Sequence, residues 1–192
     1  MDKEIFFSKI SEKVFLTAQI RTLIEKNLST LYFEKYDHLL SPGHIPTEMF
    51  YIEEGLVMGH TVRQKQKVVQ WFQHNGSFLI PSCFFHQQPA TEYITFREPT
   101  VLFSLPHTII QSINKIHHES LNLFLLLAED SIQAGKEREY MMRMFPEDRY
   151  RHLAKTQPYL FAGGHFEFLA SYMNMSRRHF VRIRNRFAKE KN

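Results

Sequence analysis

Cysteine is nearly absent from this chain: Cys83 is the only one in 192 residues. A lone thiol excludes an internal disulfide framework and any zinc or iron–sulfur site that needs several thiolates. Long apolar runs are also missing, since none approaches the roughly 20 residues a helix needs to cross a bilayer. The start, Met-Asp-Lys-Glu, lacks the basic and apolar regions of a signal peptide, so a soluble, cytoplasmic protein without a membrane partner is expected. Catalytic signatures are scarce too. No Gly-x-Ser-x-Gly occurs, nor a phosphate-cradling glycine loop. The eleven histidines include no His-x-His pair, and adjacent His117 and His118 would point about 100° apart on a helix, so they cannot share one ion. A cupin-like metalloenzyme is thereby disfavoured, no metal site is expected, and the chain reads as a non-enzyme.

The remaining scarcity is local, and it concerns acid. From Arg149 to Asn192 there are ten Lys and Arg but only two acids, Glu167 and Glu190. Residues 1–148 hold 14 basic and 18 acidic side chains, so the net +4 divides into −4 and +8. Such an asymmetry points to a body carrying a separate polyanion-binding end.

The basic residues of that end sit inside a pattern. Phe166, Leu169, Ala170 and Met173 recur at i, i+3, i+4 and i+7, which predicts one apolar face on a short helix. Asn174 tolerates a left-handed turn, and Ser176 can cap a second helix. Phe180, Ile183 and Phe187 form that helix's apolar stripe. At about 100° per residue, Arg178, Arg182, Asn185 and Lys189 lie opposite the stripe. This predicts a helix-turn-helix whose second helix is basic. A merely solvated helix face normally mixes its signs, whereas seven basic residues face one acid after Ser176. A membrane-surface helix would show a wider apolar face. A ligand-binding or protein-interaction module without DNA binding is the main alternative.

Upstream, residues 1–30 carry Ile5, Phe6, Ile10, Val14, Phe15, Ile20, Leu23, Ile24 and Leu28 at loose helical spacing. Between about Leu31 and Leu105, short β-type runs (Met49–Ile52, Leu56–Val62, Val68–Phe72, Tyr93–Phe96 and Val101–Leu105) alternate with turn signals at Ser41-Pro-Gly, Glu54-Gly, Asn75-Gly and Glu98-Pro. That rhythm predicts a jelly-roll barrel. A long helical stretch follows from about His107 to Met144, with a break expected near His117-His118-Glu119. In it Leu121, Leu125, Ala128, Ile132 and Gly135 alternate spacings of four and three, the seam of a coiled coil. A homodimer through this seam is expected. Pro146 ends the helix and another begins over Glu147–Lys155. The fold class is therefore α+β: N-terminal helices, a β jelly-roll barrel, a long dimerisation helix and a C-terminal helix-turn-helix domain.

This order of elements resembles the Crp/Fnr family of bacterial transcription regulators. Leu39-Leu-Ser-Pro-Gly-His-Ile-Pro-Thr-Glu-Met-Phe-Tyr-Ile-Glu-Glu-Gly-Leu-Val is similar to the start of that family's cyclic-nucleotide-binding barrel, with Gly43 and Gly55 at its turn glycines. Ser176-Arg-Arg-His-Phe-Val-Arg-Ile resembles its recognition helix, usually Ser-Arg-Glu-Thr-Val-x-Arg-Ile. The likeness covers most of residues 30–190. It implies a barrel domain with N-terminal helices over 1–117, a dimerisation helix and hinge over 118–144, and a DNA-binding domain over 145–192. It also implies double-stranded DNA, a second copy of the chain and RNA polymerase as partners. Arg177, Arg178 and Arg182 match the family's base-reading positions. Ser176, His179, Arg186 and Lys189 are expected to face phosphates, and Arg184 lies too near the apolar stripe to assign.

The departures from the family pattern concern the ligand. Members that bind cyclic AMP hold the ribose with a Glu and the phosphate with an Arg. In the matching stretch from Gly76 to Ile94, Pro81 stands at the Glu position and Thr91 or Glu92 at the Arg position. A buried cyclic phosphate beside Glu92 without a cation is strongly disfavoured, so cyclic AMP is not expected. One cysteine rules out an iron–sulfur sensor, and nothing singles out Cys83 or a histidine as a haem ligand. Phe78, Ile80, Cys83, Phe84 and Tyr93 are expected to line an apolar cavity for an unidentified, weakly charged effector, unless sensing has been lost.

Overall fold

The computed structural model describes residues 3–12, 16–116 and 132–190. Two compact units divide the chain: residues 1–59 with 72–130, and residues 60–71 with 131–192.

The first unit opens with two helices, α1 (Glu4–Ser11) and α2 (Ala18–Asn27). Thr17 starts α2, its hydroxyl accepting from the Ile20 amide at 3.3 Å, as an N-cap residue should. Eight strands follow: β1 (Ser29–Phe33), β2 (His38–Leu40), β3 (Glu48–Glu54), β4 (Leu56–Arg63), β5 (Gln66–His74), β6 (Phe78–Leu79), β7 (Tyr93–Phe96) and β8 (Thr100–Pro106). They form two four-stranded sheets, ordered β1-β8-β3-β6 and β2-β7-β4-β5. Pairing is antiparallel in β1–β8, β3–β8, β3–β6 and β2–β7. Helix α3 (His107–Ile116) leaves β8 directly.

Strand β3 shows why both faces of the first sheet are apolar. Met49, Phe50, Tyr51 and Ile52 are all buried in succession. Side chains alternate along a strand, so odd and even positions look opposite ways. Met49 and Tyr51 join Phe103, Leu105 and the helical residues Phe6, Phe7, Ile24, Ile110 and Ile113 in one cluster. Phe50 and Ile52 face the roll interior, and Phe33 of β1 stacks on Phe96 of β7 at 4.3 Å, where the two sheets meet. A clean in–out alternation is thereby lost. The expected short strands are present; β2 and β6 are too short, and β2 too bulged, to show in the pattern. The predicted helical stretch 1–30 gives up its last residues, because β1 begins at Ser29 to pair with β8.

Aromatic burial, not charge, holds α1 in place. Phe6 meets the rings of Phe7, Tyr51, Phe78 and Phe103 edge-on or nearly so, and truncating such a residue to Ala costs about 3–5 kcal/mol. The exposed Glu4–Arg21 ion pair is screened by water and adds little.

Among its described residues the second unit contains the β4–β5 tip and five helices: α4 over 132–142, α5 (Pro146–Thr156), α6 (Tyr159–Ala162), α7 (Phe166–Tyr172) and α8 (Arg177–Glu190). Pro146 occupies the first turn of α5, where its missing amide loses nothing. Gln64 and Lys65 turn the hairpin tip with φ of 49° and 64°. Two left-handed residues in succession make a type I′ geometry without the Asn or Gly that usually announces it. The predicted break near His117–Glu119 lies outside the described residues.

Gly55, between β3 and β4, has φ +115°, and a Cβ there would sit 2.2 Å from the Thr100 hydroxyl and 2.8 Å from its Cα. Gly43 has φ +89° with nothing within 4 Å. Gly55→Ala should therefore lose about 2–5 kcal/mol, strain plus overpacking, against about 1–2 kcal/mol for Gly43→Ala. Urea unfolding of both variants checks this, and equal midpoint shifts would show that Thr100 moves aside freely.

Candidate nucleic-acid interface

The end of α7 and the start of α8 are built by local hydrogen bonds. Asn174 takes φ 51°. Its amide donates to Ser171 O at 2.9 Å and the Met175 amide donates to Ala170 O at 2.9 Å. That pair of bonds is a Schellman closure with Asn in the left-handed position. Ser176 then caps α8: its hydroxyl accepts from the His179 amide at 3.2 Å, and its carbonyl accepts from Phe180 N at 3.0 Å. Arg149 reinforces the turn by donating to Met173 O at 2.7 Å and to Met144 O at 2.9 Å.

Packing then fixes the rotation of α8. Phe180 and Ile183 are buried with Leu169, Ala170 and Met173 of the preceding helix region, and with Leu153 and Leu160. The rings of Tyr150 and Phe166 lie 5.8 Å from that of Phe180. Small Ala170 is buried on α7.

The hairpin tip adds three bonds to α7 and α4. The Ser171 hydroxyl accepts from Val69 N at 3.0 Å and donates to Lys67 O at 3.0 Å. Arg138 donates to Val69 O at 3.2 Å, with its guanidinium 5.2 Å from the Tyr172 ring centre.

Eight of the basic residues from Arg149 onward divide into two groups. Arg149 binds carbonyls, Arg151 pairs with Asp148 at 2.6 Å, Arg184 lies 4.4 Å from the Phe166 ring centre, and Arg186 pairs with Glu147 of α5. Arg177, Arg178, Arg182 and Lys189 are exposed and form no ion pair with the described side chains. Ser176, Arg178, His179, Arg182, Arg186 and Lys189 line one open concave surface of about 790 Å³, together with Val181 and Asn185. Six of the seven residues expected to contact DNA are thus brought together; Arg177 is exposed beside them. Arg186, expected to face phosphate, already has a carboxylate partner. Helical phase alone puts Asn185 on this face, and Val181 carries no such signal.

In the first unit, Phe78, Ile80 and Phe84 pack in or against the cluster under α1, α2 and α3. The Phe78 ring meets those of Phe6 and Tyr51, and Phe84 meets His107 edge-on at 4.9 Å. Tyr93 meets His38. Cys83 is half-buried, and that burial raises its thiol pKa. A cavity of about 320 Å³ lies nearby, lined by His38, His44, Glu48, Phe50 and Pro81 among others, and by none of the five residues expected to line one. Pro81 at its wall supplies no hydrogen-bond donor. No Lys or Arg occurs between Lys67 and Arg97.

Of the dimer seam, Leu121, Leu125 and Ala128 lie outside the described residues. Ile132 is 58% exposed, and Gly135 has open space around it. Among the described residues no group of three or more His, Cys, Asp or Glu could hold a metal ion, and no helix is long and apolar enough to cross a membrane.

No known family pattern and no curated protein matches the sequence. Solved structures do match. The structural neighbours are Crp/Fnr-family regulators and cyclic-nucleotide-binding domains. A regulator described as Crp/Fnr family from Eubacterium rectale superposes with a TM-score of 0.72 at 16% identity, covering 91% of this chain and 85% of its own. FixK2 from Bradyrhizobium japonicum gives 0.72 at 8% identity over 85% and 86%. A cyclic nucleotide-binding domain containing protein from Listeria monocytogenes gives 0.67 at 15% over 90% and 89%. At such identities the likeness establishes a shared fold, a mixed α/β architecture around antiparallel sheets.

Removing the Ser176 hydroxyl leaves an α8 amide without its acceptor. Ser176→Ala should lower stability by about 1 kcal/mol, and Ser176→Asp should restore it. Thermal unfolding measures both, and an unshifted Ser176→Ala would show the cap to be dispensable.

Proposed function

We propose that this chain is a homodimeric, DNA-binding transcription regulator of the Crp/Fnr type. The observation that carries the reading is the outward face of α8. Its opposite side is buried through Phe180 and Ile183, so Arg178, Arg182 and Lys189 stand together in solvent on one concave surface with Ser176. A helix entering the major groove reads base edges from its first turns, and Arg pairs bidentately with guanine. Arg177, Arg178 and Arg182 are the proposed base-reading residues. Ser176, His179, Arg186 and Lys189 are the proposed phosphate group; Arg186 would exchange Glu147 for a phosphate oxygen. Shared fold with proteins described as transcriptional regulators supports the same reading. So does the charge asymmetry, because phosphate neutralisation dominates duplex affinity.

The proposed organisation is a sensor-like domain over 1–117, a dimerisation helix and hinge over 118–144, and a DNA-binding domain over 145–192. Leu121, Leu125, Ala128, Ile132 and Gly135 are the proposed seam, and RNA polymerase is the proposed partner once the dimer sits on DNA. Selection of bound duplexes from random sequence tests the core of the reading. The expected product is a two-fold site with half-sites about one helical turn, 34–36 Å, apart. Against it, Arg182→Ala should lose about 1–3 kcal/mol and relax one base position. Lys189→Ala should weaken all sequences alike and reduce the salt slope by about one. Uniform weakening by Arg182→Ala would remove that residue from base reading.

The first unit is proposed not to respond to cyclic AMP. Pro81 stands where a ribose-binding carboxylate would, and the stretch from Gly76 to Glu92 contains no cation. A cyclic phosphate held by that stretch would meet no lysine or arginine from it, and burial of an uncompensated phosphate is costly. Calorimetric titration of the whole chain should give no heat of binding at physiological cyclic AMP, and micromolar affinity would overturn the assignment of this segment.

A further inference from the structure

We propose that the groove between α5 and α8 is a docking site for an acidic protein segment carrying an aromatic or aliphatic anchor. This goes beyond the DNA-binding reading and does not rest on it. The groove encloses about 640 Å³. Its floor is apolar: Tyr150 stacks on Phe187 at 5.3 Å with planes 5° apart, and the half-buried Phe166 ring lies beside them. Three cations, Arg151, Lys155 and Arg184, line the same groove with no acid among its lining residues.

The two arginines are held in position by the floor itself. The Arg184 guanidinium lies 4.4 Å from the Phe166 ring centre and that of Arg151 lies 4.9 Å from Phe187. Stacked in this way, each keeps N–H donors free for a carboxylate fork and loses less freedom on binding than a mobile side chain would. Asp148 already neutralises part of Arg151, which leaves Lys155 and Arg184 as the stronger attractors.

Phase around α8 separates this groove from the proposed DNA-reading face. At about 100° per residue, Phe187 points roughly 180° and Arg184 roughly 120° away from Arg178. A phosphate backbone has no use for an apolar floor, whereas an acidic segment with a ring or a leucine satisfies floor and rim together. The groove is open, so a small aromatic acid would leave much of its surface in water, short of the burial that ligand pockets give. An extended or helical segment lying along the groove fits better.

The test uses the full chain and a panel of short labelled peptides in which Asp and Glu alternate with Phe, Trp or Leu, with a matched panel carrying Asn and Gln instead. Fluorescence anisotropy should show members of the acidic panel binding with Kd of about 1–100 µM. Their amide shift changes should centre on Tyr150, Phe166 and Phe187. The Asn/Gln panel should bind at least about tenfold more weakly, a difference of about 1.4 kcal/mol. Lys155→Glu and Ala188→Glu change exposed positions, and Glu at 188 would also neutralise Arg184 one turn before it; each should cost a similar factor while the preferred duplex sequence stays the same. The proposal is overturned if no acidic peptide binds below about 1 mM, if the neutral panel binds as well, or if both variants retain full affinity. Duplex DNA shifting the groove amides in place of peptide would assign the groove to nucleic acid and equally overturn it.

Discussion

Everything proposed for the second unit depends on the burial of Phe180. A helix is a rigid body, so fixing one side chain fixes the direction of all the others. Phe180 is wholly buried and Ile183 nearly so, and each contributes about 1.5–3 kcal/mol by leaving water. Turning α8 by even 90° would expose both and bury Arg178 or Arg182, whose charges would meet no partner. The two effects add in the same direction. The basic face is therefore outward because the apolar face has nowhere else to go, and the Asn174 turn and Ser176 cap merely set where the helix begins.

The sequence made that much legible, since phase along one helix needs no knowledge of the rest of the fold. It could not sort the cations. Arg186 and Glu147 are 39 positions apart, and nothing in either segment announces that α5 will lay its first turn beside the middle of α8. Arg149 is similar: a charge count treats it as part of a basic end, while the structure gives it two backbone carbonyls to bind. Electrostatic footprints read from sequence are for this reason upper bounds, and for the outward face of α8 the exposed Arg177, Arg178, Arg182 and Lys189, which form no ion pair among the described residues, are a better measure than a count of ten.

In the roll, the limit is one of sidedness. Phe78, Ile80 and Phe84 are apolar in a segment matched to a ligand site, and an apolar residue there can face the interior or the opposite side. Two N-terminal helices and α3 cover that opposite side, so the three residues have an alternative burial that a strand pattern does not reveal. The helices themselves were visible from their periodicity; which sheet face they would cover was not. Consecutive burial along β3 carries the same lesson, because a strand covered on both faces loses the alternation that would identify its inner residues.

The hairpin tip shows what a sequence hides most completely. Gln64 and Lys65 both adopt left-handed backbone, at about 1–2 kcal/mol each relative to the right-handed region. Tertiary contacts offset that strain. β5 ends its sheet, and a sheet edge presents unpaired amides and carbonyls. Here Val69 N and Lys67 O meet one hydroxyl, that of Ser171, while Arg138 takes Val69 O. Ser171 acts as donor and acceptor at once, filling two adjacent positions of a strand edge as a neighbouring strand would. It lies on α7 one residue from Tyr172 and three before Asn174, and its carbonyl accepts the Asn174 amide, so the group that satisfies the hairpin sits in the turn from which α8 starts. The strained tip and the last turn of α7 thus meet at one residue, and no pattern in either segment taken alone could have joined them.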